Sequence, residues 1–158
     1  MNAEGIEHFN HAVRDLPGFL KALEAAPQHR VVDHPAIPKT PGIYLFSDAD
    51  GPIYVGQTRS LQTRLKQHTG ATSRSENASF AFNVAKREAA SAGVDVKRFR
   101  KTLEADPAFV PHFSRARTTV ANMRVQFIEM DEPITRYLFE LYAALALGTT
   151  EFNTFETH

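Results

Sequence analysis

A small set of polar side chains in this 158-residue chain has the types and spacing that chemistry requires. Glu140 lies within the apolar run 137–145. A buried carboxylate without a partner costs several kcal/mol there, so it should meet a cation, a metal or water. The plainer alternative is an ion pair with Arg136, four residues earlier on one helix face. Arg64 and His68 are also four residues apart, which places a phosphate-binding guanidinium one helical turn from a group that titrates near neutral pH.

Two tyrosines stand on neighbouring segments with the composition of β-strands. Tyr44 lies in 42–47 and Tyr54 in 52–58, and both segments are rich in Ile, Tyr, Val and Phe. The residues between them, Asp-Ala-Asp-Gly, are turn residues, so the pattern predicts a β-hairpin. The tyrosines can then lie side by side on one face of the hairpin. Cross-strand aromatic packing would explain such a pair without any function.

The remaining segments predict helices and one more strand. The N-terminal apolar stripe predicts a helix that Pro17 divides into two short helices; the stripe consists of Phe9, Val13, Leu16, Leu20 and Leu23. Further helices are predicted at 61–68, 80–92, 95–105, 109–122 and 133–147, and a strand at 123–130. We therefore expect an α+β fold, a small three-stranded antiparallel sheet flanked by helices. The predicted organisation is N-terminal helices and a proline-rich connector over 1–39, then one domain over 40–158 with a helical insert at about 70–121.

The composition excludes several classes of protein. Hydrophobic residues make up 42% and charged residues 23%, as is ordinary for a globular protein. No apolar run reaches the roughly 20 residues of a membrane span, and the N-terminus lacks a signal-peptide pattern, so we expect a cytoplasmic protein without a membrane partner. The absence of cysteine excludes disulfides, thiol catalysis and thiolate metal sites. The histidines, such as His8 and His11, lack partners at metal-ligand spacing.

Charge is unevenly distributed along a chain whose formal net charge is zero. Residues 1–58 carry a net charge of −3, residues 59–124 of +8 and residues 125–158 of −5. A basic middle segment is typical of a phosphate-binding surface. The alternative is that Lys86, Arg87 and the cations of 97–101 are only the solvated faces of helices, and charge alone favours neither interpretation.

Together these features form one pattern, carried by Gly42-Ile43-Tyr44, Tyr54-Val55-Gly56, Arg64, His68, Glu140 and Asn153. The pattern resembles the GIY-YIG nuclease family, with Val55 where the family has isoleucine. The resemblance runs from about Thr40 to the end of the sequence and says little about the stretch from about 70 to 122. It implies a three-stranded antiparallel sheet flanked by helices, in agreement with the predicted elements.

The resemblance also implies a reaction, the hydrolysis of phosphodiester bonds in DNA by an endonuclease with one divalent ion, Mg²⁺ or Mn²⁺. Glu140 would be the ion's only protein ligand. Arg64 would bind the phosphate, and Tyr44 would activate the attacking water, with His68 helping to deprotonate Tyr44 or holding it in place. Tyr54 would orient water or phosphate.

The expected substrate contacts are Asn153, which would hold substrate or a bound water, together with Arg59, Lys66 and Gly56. DNA is the expected partner, RNA is not excluded, and a homodimer or a protein partner is possible. One alternative is a catalytically silent nucleic-acid-binding module that uses Arg59, Lys66, Arg74 and the basic residues of 86–101. Others are a ribonuclease, a structure-selective nuclease, or an assembly protein whose helices at 80–121 form an oligomer surface.

Overall fold

A computed structural model describes residues 2–33, 36–70 and 78–153. Arg74, one of the cations considered for nucleic-acid binding, lies outside the described residues. The helices and strands of the described chain are α1 (Ala3–Ala25), β1 (His29–Arg30), a 3₁₀ turn (Val31–Asp33), β2 (Gly42–Ser47), β3 (Pro52–Thr58), α2 (Leu61–Thr69), α3 (Ser79–Ser91), α4 (Arg100–Glu104), α5 (Val110–Asn122), β4 (Arg124–Glu129) and α6 (Pro133–Ala146).

The chain divides into two compact units that differ in charge. The first unit comprises residues 1–29, 37–62 and 124–158, and the second comprises 30–36 and 63–123. The first unit has six Lys and Arg against twelve Asp and Glu, and the second has twelve against six. Their formal net charges are therefore −6 and +6.

The sheet is antiparallel, with the strand order β1-β4-β2-β3. The predicted hairpin is confirmed, and its turn is fixed by the Asp48 carboxylate, which accepts hydrogen bonds from the backbone N–H groups of Asp50 at 2.8 Å and Gly51 at 3.1 Å. Gly51 has a φ of +132°, which suits glycine. The prediction of three strands is wrong, because the described sheet has four. The additional strand, β1, is two residues long and too short to show an alternating pattern in sequence.

The core of the first unit lies on one face of this sheet. Ile43, Leu45 and Val55 point to that face and pack with buried residues of α1 and α6, namely Leu16, Leu23, Phe139 and Ala143. The Gln126 amide donates to backbone carbonyls at the end of α1, those of Leu23, Glu24 and Ala26. The end of α1 is thus joined to β4 by polar as well as apolar contacts.

The predicted break of the N-terminal helix at Pro17 is wrong, since α1 continues from Ala3 to Ala25 with Pro17 inside it. An interior proline costs a helix about 3 kcal/mol or more. Leu16 and Leu23 are both buried, and burying one such side chain contributes about 1.5–3 kcal/mol, which offsets that cost. The predicted apolar stripe is covered only in its second half, because Phe9 is 50% and Val13 40% exposed.

The second unit has an aromatic core of its own between α3 and α5. The ring centroid of Phe82 lies 5.2 Å from that of Phe109 and 5.6 Å from that of Phe113. The helices predicted at 80–92 and 109–122 are confirmed as α3 and α5. The helix predicted at 95–105 is shorter, because α4 covers only Arg100–Glu104. The Asp95 carboxylate instead accepts from the backbone N–H of Lys97 at 3.0 Å, a local bond that competes with helix formation.

Candidate active site

Tyr44 and Gly56 are paired directly across β2 and β3, and the tyrosine ring crosses the glycine backbone. A Cβ on Gly56 would overlap the Tyr44 hydroxyl and Cζ and would lie 2.8 Å from its Cε2. Tyr44 is only 1% exposed, so its ring occupies space that any side chain at Gly56 would need. Glycine is therefore required at position 56 because the Tyr44 ring lies so close to its Cα, and not because the backbone there has an unusual φ angle.

Gly42 meets a similar restriction at the other end of the motif. A Cβ there would overlap the backbone oxygen of Ile128 on β4 and lie 2.8 Å from Cδ1 of Leu61. Both motif glycines thus let neighbouring strands or rings come close to the hairpin.

The two tyrosines lie on the same face of the hairpin, as the spacing predicted. Their ring centroids are 6.2 Å apart at an interplanar angle of 50°, and Phe46 packs edge-on against Tyr44 at 5.9 Å. Tyr44 is buried, whereas Tyr54 is half-buried. The pair therefore combines a fixed phenol with one that reaches solvent.

Glu140 on α6 is held against β3. Its Oε1 accepts a hydrogen bond from the backbone N–H of Gln57 at 3.3 Å. Arg136, one turn earlier, is buried, so it cannot form the surface ion pair considered from the sequence. Its Nε donates to Oε1 of Gln57 at 3.1 Å, and its Nη1 donates to the carbonyl oxygen of Met130 at 2.9 Å. Gln57 is thus bound by α6 through both its backbone and its side chain.

Asn153 is buried and binds the same strand two residues earlier. Its Oδ1 accepts from the backbone N–H of Val55 at 3.0 Å, and its Nδ2 donates to the Val55 carbonyl at 2.5 Å. The Thr149 hydroxyl donates to the same Oδ1 at 2.8 Å. Because β3 is an edge strand, Asn153 and Glu140 satisfy outward backbone groups that a further strand would otherwise pair with.

We expect Asn153→Leu to lower the free energy of unfolding by about 2–6 kcal/mol, because it leaves the N–H and C=O of Val55 buried without partners, at about 1–3 kcal/mol each. Urea unfolding at constant m-value measures the loss. Asn122→Leu is the matched control, since Asn122 is an exposed residue that only donates to the Thr118 carbonyl of its own helix. Equal losses in the two variants would contradict the role of Asn153.

Arg64 and His68 lie on the part of α2 that belongs to the second unit. Nη2 of Arg64 donates to Oγ of Ser79 at 3.1 Å. The His68 ring is fully buried and packs edge-on against Phe80 at 6.3 Å. Burial of the ring, with a smaller contribution from the Arg64 guanidinium, holds the pKa of His68 well below its ordinary value of 6.5. His68 is therefore neutral at pH 7.

This burial predicts a loss of stability in mild acid. Below about pH 6.5 the unfolded chain takes up a proton at His68 that the folded chain does not, so the free energy of unfolding falls by up to about 1.4 kcal/mol per pH unit. Hydrogen bonds from Arg98 and Thr135 lower the pKa values of Asp106 and Glu132 below 3.8 and 4.5, outside that window.

Urea unfolding at pH 7.5, 6.5 and 5.5 measures the effect. His68→Phe should flatten the profile relative to the control His11→Phe, which makes the same substitution at an exposed position of α1. Parallel profiles for His68→Phe and the wild type would contradict the assignment.

The sequence of the hairpin and of the segment after it matches a known domain. Residues 40–104 match the GIY-YIG catalytic domain. The predicted resemblance is thereby confirmed. A 43-residue segment is 42% identical to the UvrABC system protein C of Deinococcus radiodurans, and it covers 27% of this chain and 7% of that protein. No solved structure matches the chain significantly. The match to the catalytic domain supports a nuclease.

The residues predicted for the GIY-YIG site are divided between the two units. Tyr44, Tyr54, Gly56, Glu140 and Asn153 belong to the first unit and are all arranged about β2 and β3. Arg64, Lys66 and His68 belong to the second unit. Arg59, in the first unit, and Lys66 are exposed. Glu140 and Asn153 lie beyond residues 40–104, so their assignment depends on their contacts with β3.

Gln57 is the residue that the sequence analysis missed, whereas Arg136 was considered only as a surface ion-pair partner of Glu140 and instead binds Gln57 and the Met130 carbonyl. Gln57 directly follows the Tyr-Val-Gly motif, and its place beside the motif is the sequence signal that could have identified it. Asn153 was expected to contact substrate; its bonds to Val55 give it a structural role, and substrate contact stays a prediction.

The described residues contain no cluster of three or more His, Asp or Glu side chains suited to a metal ion. A site with Glu140 as its only protein ligand would not form such a cluster.

No helix in the described ranges has the length and apolar character to cross a membrane.

Proposed function

We propose that this protein is a metal-dependent endonuclease that hydrolyses phosphodiester bonds in DNA. We base the proposal on the site residues that lie on or contact strand β3. This strand bears Tyr54, leaves room for the Tyr44 ring at Gly56, and hydrogen-bonds Glu140 through the backbone of Gln57. The match of residues 40–104 to the GIY-YIG catalytic domain supports the same chemistry.

Glu140 is the residue that would hold the ion, Mg²⁺ or Mn²⁺. Its half-buried carboxylate is a hard oxygen ligand anchored by one backbone hydrogen bond, and Mg²⁺ commonly uses one or two carboxylates while keeping several waters. Bound there, the ion would stabilise negative charge on the scissile phosphate and the leaving oxygen. The donor set therefore fits the cofactor.

Tyr44 is the proposed base that takes a proton from the attacking water, and Tyr54 orients water or phosphate. A free tyrosine titrates near pH 10, so Tyr44 needs help to act near neutrality. We assign that help to His68, which by the family resemblance either helps to deprotonate Tyr44 or holds it in place. Arg64 binds the phosphate and offsets the charge that develops in the transition state.

The charge of the second unit supports a nucleic-acid substrate, since its net charge of +6 suits a polyphosphate backbone. Arg59 and Lys66 are exposed cations proposed to bind the backbone, and Asn153 is retained as a proposed substrate contact. To cut both strands of the DNA, the protein is proposed to act as a homodimer or together with a partner protein.

The test is conversion of supercoiled plasmid to open-circle or linear DNA by the wild-type protein in Mg²⁺ or Mn²⁺, with EDTA as the metal-free control. We expect nicking that depends on the ion. Branched DNA, single-stranded DNA and RNA are tested in parallel. Binding without scission of any of them would replace the proposal with the silent binding module, and scission of RNA alone would replace it with a ribonuclease.

A further inference from the structure

Phe99 is the most exposed large apolar side chain of the described residues, at 87%. The other aromatic side chains of the second unit that are described, such as Phe80, Phe82 and Phe109, are buried. Phe99 is flanked in sequence by two cations on each side, in the run Lys-Arg-Phe-Arg-Lys. A lone exposed Phe needs no explanation, but one between four cations has the composition of a nucleic-acid contact.

The backbone that carries Phe99 is fixed on both sides. Before it, Nε of Arg98 donates to the Asp95 carbonyl at 2.9 Å, and Nη2 of the same guanidinium pairs with the Asp106 carboxylate. After it, the Phe99 carbonyl accepts from the N–H groups of Thr102 at 3.0 Å and Leu103 at 3.1 Å. The ring is therefore held out in water by an ordered backbone, so little conformational entropy is lost when a ligand covers it.

The surface beside the ring is concave. A depression of about 460 Å³ is lined by Lys97, Arg98, Phe99 and Thr102. This volume falls in the range of about 300–1,000 Å³ typical of small-ligand sites. One apolar ring, a hydroxyl and the Lys97 ammonium in one depression match the parts of a nucleotide, because the ring suits a base and the cation suits phosphate. The Arg98 guanidinium is already paired with Asp106. Arg100, on the other side of Phe99, is anchored with its guanidinium 4.6 Å from the centre of the Phe82 ring.

We propose that Phe99 is a stacking platform for an unpaired DNA base, with Lys97 and Lys101 contacting the flanking phosphates. This stacking site depends on the proposed function, in which the substrate is a nucleic acid. It narrows that substrate to DNA that contains unpaired or distorted bases. A surface ring that does not wedge between base steps gains little from a paired duplex, whose bases already stack on one another, whereas an extruded base offers a free face.

The test is fluorescence anisotropy with full-length protein in EDTA, so that binding is measured without cleavage. Three labelled probes are compared: a perfect duplex, the same duplex with a central unpaired bulge, and a single strand. Phe99→Ala should weaken binding to the bulged and single-stranded probes about tenfold, the effect of losing one stacked base. Binding to the duplex should change less than about twofold, because phosphate contacts remain.

Two further variants make the test specific. Phe99→Trp should retain the wild-type preference, since the larger ring also stacks. Phe9→Ala removes a half-exposed Phe from the acidic first unit and should leave all three affinities unchanged.

Equal affinities of Phe99→Ala and the wild type, or equal losses on all three probes, would overturn the stacking site and leave the nuclease proposal standing. The expected pattern in a protein that cuts no nucleic acid would support the site and overturn the nuclease. A wild type that binds none of the probes would overturn both.

Discussion

Glu140→Gln should abolish nicking, with a loss in rate of about 10³-fold or more while the protein stays folded. The amide keeps the size and shape of the side chain, and its oxygen can still accept from the Gln57 N–H. What it lacks is the negative charge that Glu140, as the proposed ligand, would supply to the divalent ion, so the transition-state stabilisation proposed for that ion would be lost.

The rate of plasmid nicking as a function of Mg²⁺ concentration measures this effect. Glu24→Gln is the matched control, because it makes the same chemical change at an exposed position of α1 in the first unit. Comparable thermal unfolding of the three proteins separates chemistry from folding. A Glu140→Gln protein that nicks at the wild-type rate would remove Glu140 from the mechanism.

Gly56→Ala should cost both stability and activity. The added methyl would overlap Tyr44, and the ring has little freedom to move because it lies against Phe46 and Tyr54. Overpacking of this kind costs about 1–3 kcal/mol. Because the residue that must shift is the proposed base, we expect nicking to fall about 10²-fold even where the variant is fully folded.

Urea unfolding and plasmid nicking on the same samples measure the two losses. Gly18→Ala is the control, since a Cβ there meets nothing within 4 Å, and replacing glycine inside a helix should stabilise the protein by about 0.5–1 kcal/mol. Unchanged stability and activity of Gly56→Ala would show that the space beside Tyr44 has no role.

The hairpin could be predicted to the residue because its signals are local. Alternating Ile, Tyr, Val and Phe and an Asp-Ala-Asp-Gly turn determine both strands and their connection, and the bounds of β2 and β3 agree with the sequence prediction. The side-by-side tyrosines follow from that register. Helices α3, α5 and α6 were likewise predictable from apolar spacing and the glycines that follow two of them.

The features that sequence could not give depend on residues far apart in the chain. His68 is buried partly by Phe80, and Arg136 is buried by contacts that include Gln57, 79 positions earlier. Pro17 predicted a break by its local chemistry, but the packing of Leu16 and Leu23 keeps α1 continuous. Asp95 bonded to the Lys97 backbone shortens α4 and thereby leaves Phe99 outside the helix.

The side-chain bonds along β3 also bear on how the protein avoids aggregation. The free edge of a sheet is where a second chain can add a strand and start intermolecular β-pairing. In this protein the outward N–H and C=O of Val55 and the N–H of Gln57 already bind Asn153 and Glu140. An incoming strand would have to displace both side chains. The residues proposed to serve the reaction therefore also keep this edge of the sheet closed to other copies of the chain.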